Sequence, residues 1–313
     1  MEPRHDTVLL NEAVEALAVA PGDVVVDATV GGAGHFARLR DRLDETGTLI
    51  GIDADADALD RARALPLAAR GPRIELVEDN FRNLASILDQ LGIATLDKSL
   101  FDLGWSGYQL ATGRGFSFQK DEPLLMTYGK DATHSAAELI NSASEEELTD
   151  ILRTFGEERF ARPIARAIVR ERQSARILTT GDLVRVVEMA TPAWYQHRHV
   201  HPATRTFQAL RIAVNDELGA VRDGLAAAIA RTRTGGRIAV ITFHSIEDRI
   251  VKHLFRDAAY AGKGMVVTRK PIIPSEQELA ANRRARSAKL RVFACGPVAG
   301  QETFTHSMHY LYA

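Results

Sequence analysis

The stretch that decides the fold is Val24–His35, VVVDATVGGAGH, in a chain of 313 residues. Three valines followed by Asp27 predict a short buried strand, and the small-residue loop after it leads into a helical pattern that begins near Phe36. Such a loop lets the backbone approach a ligand closely, and the helix amino terminus offers free N–H groups. Its spacing differs from the dinucleotide fingerprint G-x-G-x-x-G, so a tight turn without a ligand is the alternative interpretation.

Strand and helix patterns alternate on the carboxyl side of this loop. The segments Thr48–Ile52, Ile74–Val77 and Ser99–Phe101 read as further strands, with a helical pattern between each pair. Parallel strands joined by right-handed crossovers form a sheet that is covered on both faces. The sequence therefore predicts a doubly wound, Rossmann-like α/β domain.

The alternation stops after the fourth strand. From about 113 to 200 only helical patterns occur, and then a long helix over roughly 205–233 precedes a strand at Arg237–Thr242. Two later segments, Met265–Arg269 and Lys289–Ala294, have β character and would complete the sheet. We therefore predict a doubly wound domain made of residues 1–112 and 201–313, interrupted by a helical insertion over 113–200.

Composition excludes several classes of protein. Hydrophobic residues make up 45% and charged residues 26%, which is typical of a globular protein, and no apolar run approaches the length of a membrane span. One cysteine, Cys295, excludes an internal disulfide framework and a cysteine-cluster metal site. The amino-terminal residues lack the order of a signal peptide. These features predict a cytoplasmic protein.

Basic charge is concentrated locally although the whole chain has a net charge of −2. Residues 153–176 contain seven arginines and three glutamates, and residues 283–291 contain five basic residues and no acid. Arg162, Arg166 and Arg170 follow one another at helical spacing, so one helix face presents three guanidiniums. We predict phosphate contacts there, with an ordinary solvated helix face as the alternative.

Three further strand ends carry side chains suited to a ligand. Asp53 ends the second strand, where a carboxylate can accept both ribose hydroxyls, or where it would cap the next helix. Phe81 follows the third strand and is placed to border an adenine, while Asp102 ends the fourth. Because the loop lacks the spacing for a pyrophosphate, the set favours S-adenosylmethionine over NAD.

The fourth strand leads into Asp102–Gln109, DLGWSGYQ, where an amino-methyltransferase would bring its target base to the methyl donor. An exocyclic amine is a poor nucleophile, and an acceptor that holds its N–H groups helps to align the lone pair. Asp102 would fill that role or contact the cofactor, and we favour the cofactor. Trp105 and Tyr108 would stack on a base or pack against the protein.

Two other groups of polar residues have simpler interpretations. His197, His199 and His201 alternate like metal ligands, but no Cys, Asp or Glu joins them in that segment, so we predict no metal site. The segment His244–Arg249 has the composition of a hydrolytic cluster, yet no nucleophile and base are recognisable in it. Ser245 and Asp248 have capping-box spacing, which predicts a capped helix instead.

Nine segments spread over nearly the whole chain match one known family: His5–Glu12, Gly31–His35, Asp102–Gly104, Arg114–Phe118, Ser135–Glu138, Gly156–Phe160, His201–Arg211 (HPATRTFQALR), Phe243–Arg249 (FHSIEDR) and Arg286–Arg291. In these segments the chain resembles the RsmH/MraW family of bacterial 16S ribosomal RNA cytosine-N4 methyltransferases. The segments His201–Arg211 and Phe243–Arg249 are specific to that family, so the chain is identified as a member of it.

The resemblance implies a class I S-adenosylmethionine-dependent methyltransferase with a helical insertion that recognises RNA. Its activity would be N4-methylation of a decoding-centre cytidine in 16S ribosomal RNA, and its partner would be that RNA or the small ribosomal subunit. It implies no metal and no membrane. The residues that it implies for cofactor binding are Ala33, Gly34, His35, Asp53, Phe81, Asp102 and Gln109.

Two segments depart from the family pattern. The family usually reads V-S-S-P-Q where this chain has Trp105–Gln109, and P-L-D-M-R-M where this chain has Leu125 and Thr127 in place of the Asp and Arg. The second change removes two charges beside the expected substrate cleft. This change leaves open the alternative that the chain is a non-catalytic RNA-binding assembly factor. A DNA amino-methyltransferase is a weaker alternative, since the motif Asn/Asp-Pro-Pro-Tyr/Phe is missing after the fourth strand.

Overall fold

A single seven-stranded sheet forms the centre of the computed structural model, which describes residues 7–66, 70–104, 113–128 and 134–297. The strands are β1 (Val24–Asp27), β2 (Thr48–Asp53), β3 (Arg73–Glu78), β4 (Leu96–Asp102), β5 (Thr232–Thr242), β6 (Gly264–Val266) and β7 (Lys289–Cys295). Their order is β3-β2-β1-β4-β5-β7-β6, and only β7 pairs antiparallel to its neighbours. This order confirms the predicted doubly wound α/β fold.

Helices cover both faces of the sheet and fill the region between β4 and β5. They are α1 (Leu10–Leu17), α2 (Gly34–Arg40), α3 (Ala56–Arg63), α4 (Leu84–Gln90), α5 (Ala136–Ser142), α6 (Glu145–Gly156), α7 (Ala161–Glu171), α8 (Thr180–Ala190), α9 (Ala193–Gln196), α10 (Thr204–Asn215), α11 (Glu217–Arg231), α12 (Ser245–Tyr260) and α13 (Glu276–Ala281). None of the helices in the described ranges is long and apolar enough to cross a membrane.

The strands alternate their side chains between two apolar layers because successive residues of a strand point to opposite faces. Val25 and Leu49 belong to the core on one face, while Val26 and Ile50 belong to the core on the other. Both layers are buried, which explains the continuous apolar runs in the sequence. The parallel register places Asp27 opposite Gly51 and Leu100, so the carboxyl ends of β1, β2 and β4 meet at one edge.

The region between β4 and β5 is helical, as the loss of alternation predicted. Its described residues contain no strand, only an isolated bridge between Pro123 and Thr179. A separate apolar core is built from α5 to α8, and Phe207 and Leu210 of α10 also pack into it. The limits of 113–200 for the insertion stay a prediction, since this core includes residues that follow them.

The predicted helix over 205–233 is wrong as a single element. Asp216 adopts a left-handed conformation (φ 45°), which ends α10 and starts α11 on a new course. Aspartate is one of the few residues that tolerate this conformation. Its carboxylate lies so close to Gly219 that a Cβ there would approach Oδ2 to 2.4 Å. The break turns Glu217, the first residue of α11, toward the carboxyl edge of the sheet.

The predicted capping of α12 is wrong by one residue. His244, not Ser245, is the N-cap: its ring accepts from the backbone N–H of Glu247, while the Glu247 side chain accepts from the backbone N–H of His244. Asp248 instead pairs with Lys289 and Arg291 on β7. The basic run at 283–291 is therefore partly an internal ion-pair network rather than a free patch.

Candidate cofactor and acceptor pocket

A deep pocket opens at the carboxyl edge of the sheet, beside the ends of β1 to β5. The strand ends and the loops that follow them contribute Gly31, Gly32, Gly34, His35, Asp53, Asp79, Asn80, Phe81, Asp102, Gly104 and Phe243, among others. The rest of the lining, called the far side below, includes Tyr128, Asn215, Glu217, Glu247 and Arg284. This is the edge at which doubly wound sheets bind ligands.

The glycine-rich loop forms one wall of the pocket. Its chain crosses toward β2, where the Val30 N–H donates to the carbonyl of Ile52 at 3.2 Å, and it enters α2 through Ala33 in a left-handed conformation (φ 61°). Gly34 and His35 line the pocket, whereas the Ala33 side chain is buried in the apolar core. The loop thus presents backbone and small side chains to the cavity.

Asp53 holds this loop in place and faces the pocket. Its Oδ2 accepts from the Gly31 N–H at 2.8 Å and its Oδ1 from the Asp55 N–H at 2.9 Å. Asp55, and not Asp53, caps α3, because its side chain accepts from the Asp57 N–H. Each carboxylate oxygen has two lone pairs, so Asp53 keeps acceptor capacity toward the cavity. Burial raises the pKa of Asp53 above its usual value.

Phe81 is fixed between the sheet and α11. Its ring meets Phe101 edge to face, with centroids 5.6 Å apart, and a Cβ on Gly224 would come within 2.7 Å of it. Asn80 precedes it and accepts from the Arg82 N–H at 3.0 Å, which starts a short 3₁₀ turn. Gly224 therefore provides the space that lets an aromatic side chain border the pocket.

Asp102 is the most perturbed acid that lines the pocket. Its backbone N–H donates to Thr29 Oγ1 at 2.7 Å, and its Oδ2 lies 3.5 Å from His35 Nδ1. Its Oδ1 is buried without a hydrogen-bond partner in the described part of the chain. Burial, with a smaller contribution from the charge of Glu247, raises the pKa of Asp102 to about 7.

Asp27 adds a third carboxylate to the same edge. It is fully buried at the end of β1, and its Oδ2 has no hydrogen-bond partner among the residues that the structure describes. Burial and the charges of Asp102 and Asp53 raise its pKa well above the usual value. A cation beside these three carboxylates would lower the cost of ionising them, so the edge favours a cationic ligand. The sulfonium and amino groups of S-adenosylmethionine fit this requirement.

The far side of the pocket contains residues that the sequence analysis missed. Glu217 accepts from the Tyr128 hydroxyl at 2.8 Å and forms a bidentate pair with Arg211 at 2.8 and 3.0 Å. Asn215 donates to the Met126 carbonyl and accepts from the Tyr128 N–H. These contacts join α10 and α11 to the segment that follows β4. The only sequence signal was the family match at His201–Arg211, which includes Arg211.

Glu247 lies beside this network. Its Oε2 accepts from the Phe243 N–H at 2.8 Å, so the carboxylate is fixed at the end of β5. Ligand atoms of Glu217, His244 and Glu247 lie within 4.8 Å of one another, a spacing that would admit a metal ion. Glu217 already neutralises the Arg211 guanidinium, so we interpret the group as a hydrogen-bonded network.

The other predicted clusters have different outcomes. His201 stacks against Phe118, with centroids 4.7 Å apart, and His197 contacts the Ala193 carbonyl, so the described structure does not gather the alternating histidines into a ligand set. Leu125 and Thr127 do not appear in the pocket wall, whereas their neighbour Tyr128 does. Trp105, Tyr108 and Gln109 lie outside the described residues.

The sheet order with its antiparallel β7, and a pocket of acids and small residues at the strand ends, define a class I S-adenosylmethionine-dependent methyltransferase. The chain belongs to the MraW methylase family, whose model matches residues 2–295. The predicted family, fold class and methyl donor are thereby confirmed.

Curated relatives of this chain share close to half of its sequence. The "Ribosomal RNA small subunit methyltransferase H" of Brevibacillus brevis is 47% identical over 304 residues, covering 92% of this chain and 96% of the relative. The protein of that name from Deinococcus deserti is 46% identical, with 92% of each chain covered. Among solved structures, an rRNA methylase from Streptococcus thermophilus matches with a TM-score of 0.41 and 12% identity, covering 94% of this chain and 98% of that one.

Proposed function

We propose that this chain transfers a methyl group from S-adenosylmethionine to N4 of a cytidine in small-subunit ribosomal RNA. The names of the curated relatives support the RNA substrate. One observation carries the proposal. The same pocket is lined by strand-end residues suited to binding the cofactor and by two carboxylates suited to binding the base, Glu217 and Glu247. Carboxylates are the side chains that accept from the N4 amino group of cytosine.

The predicted cofactor residues have separate roles in this proposal. Gly34 and His35 give the cofactor a close backbone wall, Asp53 accepts from its ribose hydroxyls, and Phe81 borders its adenine. Asp102 faces its positively charged end, and Gln109 completes the set that the family resemblance implies. When bound, S-adenosylmethionine supplies an electrophilic methyl group.

The acceptor side orients the amine. The lone pair of an exocyclic amine is delocalised into the ring, so its N–H groups must be held for the lone pair to point at the methyl group. Glu247 and Glu217 are suited to accept these N–H groups, because each carboxylate is already fixed by other hydrogen bonds. A fixed acceptor loses no orientation at the moment of reaction.

Replacement of Asp53 by Ala is expected to weaken S-adenosylmethionine binding by about 1.5–3 kcal/mol, since a charge-assisted hydrogen bond is lost. Isothermal titration calorimetry on the folded variant measures this. Asp57→Ala is the matched control, because Asp57 lies exposed in the same turn and outside the pocket wall. Equal affinities for the wild type and Asp53→Ala would mean that Asp53 only secures the loop.

The arginine stripe on α7 is the proposed phosphate contact. The side chains of Arg162 and Arg166 are 71% and 66% exposed, and each lies within 4.0 Å of only one acid in the described structure, Glu145. Together with Arg170 they line a groove against Met189 and Ala190. Exposed guanidiniums along a groove suit an RNA backbone.

Replacing Arg162, Arg166 and Arg170 together by Gln is expected to lower RNA affinity and to flatten its salt dependence by up to about two units, at roughly 0.7 per phosphate contact. Cofactor affinity should not change. Binding titrations at several salt concentrations measure the slope. A control triple of Arg63, Arg73 and Arg256 to Gln removes the same charge from exposed sites elsewhere. Equal slopes for both triples would leave the stripe an ordinary solvated face.

A second candidate function is a non-catalytic RNA-binding assembly factor. Leu125 and Thr127, which replace two charged residues of the family pattern, favour it. A turnover assay with tritiated S-adenosylmethionine and small ribosomal subunits distinguishes the two functions. Incorporation of tritium into RNA supports the enzyme, whereas cofactor binding without incorporation supports the binder.

A further inference from the structure

An exposed aromatic cluster lies on the helical region, outside the pocket. Trp194 on α9 is 55% exposed, although tryptophan is usually well covered. The Arg159 guanidinium lies 5.5 Å from its ring centroid, and Phe160 packs edge to face against it at 5.8 Å. One part of the indole is therefore supported by the protein, and the rest is open to solvent.

The cluster is held rigidly by buried contacts beneath it. Tyr195 is buried, and its hydroxyl donates to the buried Glu158 carboxylate at 2.9 Å. Glu158 also accepts from the Phe160 N–H at 2.8 Å, at the start of α7. These contacts fix the position of Trp194, so binding a ligand would cost little conformational entropy.

Two exposed arginines border the aromatic cluster. Besides Arg159, Arg198 lies over the Tyr195 ring at 5.5 Å, and both arginines are exposed. The arginine stripe begins at Arg162, three residues after Arg159, and its groove includes Ala190, four residues before Trp194. An aromatic face with a rim of guanidiniums is the arrangement that binds single-stranded nucleic acid.

A short chain of contacts joins this cluster to the pocket. Glu157, which adjoins Glu158, accepts from Ser245 Oγ at 2.8 Å and from Arg249 at 2.7 Å, in the first turns of α12. That helix also carries Glu247, which lines the pocket. The cluster is therefore anchored next to the elements that form the acceptor side.

We infer that Trp194, with Arg159, is a stacking site for an unpaired RNA base that flanks the methylated cytidine. The base lies against the open part of the indole, and the guanidiniums of Arg159 and Arg198 neutralise the adjacent phosphates. The inference rests on the proposed function, since it makes the occupant a neighbouring nucleotide of the same RNA strand. Stacking on Trp194 would depend little on the RNA sequence, because every base has a π-face.

The test compares Trp194→Ala with Trp194→Phe, which keeps an aromatic face, and with the control Tyr260→Ala, which removes an 84% exposed aromatic at the end of α12. The probe is a fluorescently labelled single-stranded RNA that contains the target cytidine. We expect Trp194→Ala to weaken binding by about five- to a hundredfold, with most affinity kept by Trp194→Phe and all of it by Tyr260→Ala. Cofactor affinity, measured on each variant, should not change.

An abasic scan of the RNA locates the stacked base. If Trp194 stacks one flanking base, an abasic nucleotide at that position weakens wild-type binding but weakens Trp194→Ala no further. Steady-state kinetics should show a raised KM for RNA with kcat at saturation unchanged. The inference would be overturned if Trp194→Ala bound RNA as tightly as the wild type, or if Tyr260→Ala lost as much affinity as Trp194→Ala. It would also be overturned if the effects of Trp194→Ala and of the abasic nucleotide added at every position, because the indole would then contact something other than a base.

These readouts separate the two proposals. Trp194-dependent RNA binding by a wild-type protein that methylates nothing would refute the methyltransferase proposal and leave an RNA-binding surface. Methylation of the same RNA, with identical KM in Trp194→Ala, would refute the stacking site alone.

Discussion

Small-subunit ribosomal RNA should contain N4-methylcytidine when this chain is expressed in bacteria that lack a relative of their own. The effect is all or none, because no other enzyme in such cells would form the modification. Nucleoside mass spectrometry of the purified RNA detects it, and cells that carry the empty vector give the background. The Asp53→Ala variant should give a reduced signal at equal protein level, since its cofactor binding is impaired.

We expect the departures at Leu125 and Thr127 to affect the rate of methylation rather than the choice of target. Thr127 is buried and Leu125 is half-buried, and the neighbouring pocket wall is formed by Tyr128, held by Glu217. One lost hydrogen bond to a base edge costs about 1–3 kcal/mol, which slows methylation by roughly ten- to a hundredfold. That loss does not create a site for adenine or for DNA.

Two results would contradict the assignment of the target. Absence of N4-methylcytidine, while the purified protein still binds S-adenosylmethionine, would favour the non-catalytic factor. Appearance of a methylated adenosine instead would mean that the acceptor side reads a different base. Restoring Asp at 125 and Arg at 127 is not required to improve the yield, because Tyr128 and Arg211 already occupy a network beside the pocket.

The wall of the pocket at the strand ends could be predicted from the sequence because that wall is local. Each strand of a parallel sheet ends at the same edge, so a polar residue at a strand end must lie near the others. Asp53, Phe81 and Asp102 follow from this rule without knowledge of any contact. The predicted pocket residues Gly34 and His35 follow from the loop that leaves β1.

The acceptor side could not be predicted in the same way because it is assembled from distant segments. Tyr128 and Glu217 are joined by a hydrogen bond across 89 residues of sequence. Glu217 reaches the pocket only because Asp216 breaks the helix, and periodicity alone does not distinguish a left-handed residue from a continuous turn. Trp194 was also missed, since two adjacent aromatics, Trp194 and Tyr195, give no periodic signal in a polar segment.

Ionising Asp102 in the free protein is costly. Burial of its carboxyl, with a smaller contribution from the charge of Glu247, raises the pKa of Asp102 from 3.8 to about 7. The folded state therefore binds the proton more tightly than the unfolded state, and this group makes the free protein less stable as pH rises from about 4 to 7. A bound cation has the opposite effect on the pKa of Asp102, because it stabilises the ionised carboxylate.

Cofactor affinity is accordingly expected to be highest above pH 7 and to fall below it with a slope that approaches tenfold per pH unit, which amounts to roughly fiftyfold between pH 7 and pH 5. The proton that Asp102 holds in the free protein must leave before the cation binds. The dissociation constant Kd for S-adenosylmethionine, measured by calorimetry from pH 5 to pH 8.5, tests this. Proton release on binding, seen as a dependence of the heat on the buffer, should grow from about half a proton at pH 7 to nearly one proton at pH 5.

The variant Asp102→Asn tests whether the titration of Asp102, and not that of another group, causes the pH dependence of cofactor affinity. The variant should bind S-adenosylmethionine more weakly than the wild type at pH 8, with a Kd that hardly changes between pH 6 and pH 8. Its free form should be more stable toward denaturant than the wild type at pH 8, because the cost of a buried charge is gone. A loss of affinity together with a gain of stability is a pair of effects that misfolding cannot produce. If the pH dependence persists in Asp102→Asn, the titrating group is another one at this edge, such as Asp27, and Asp102 does not face the cation.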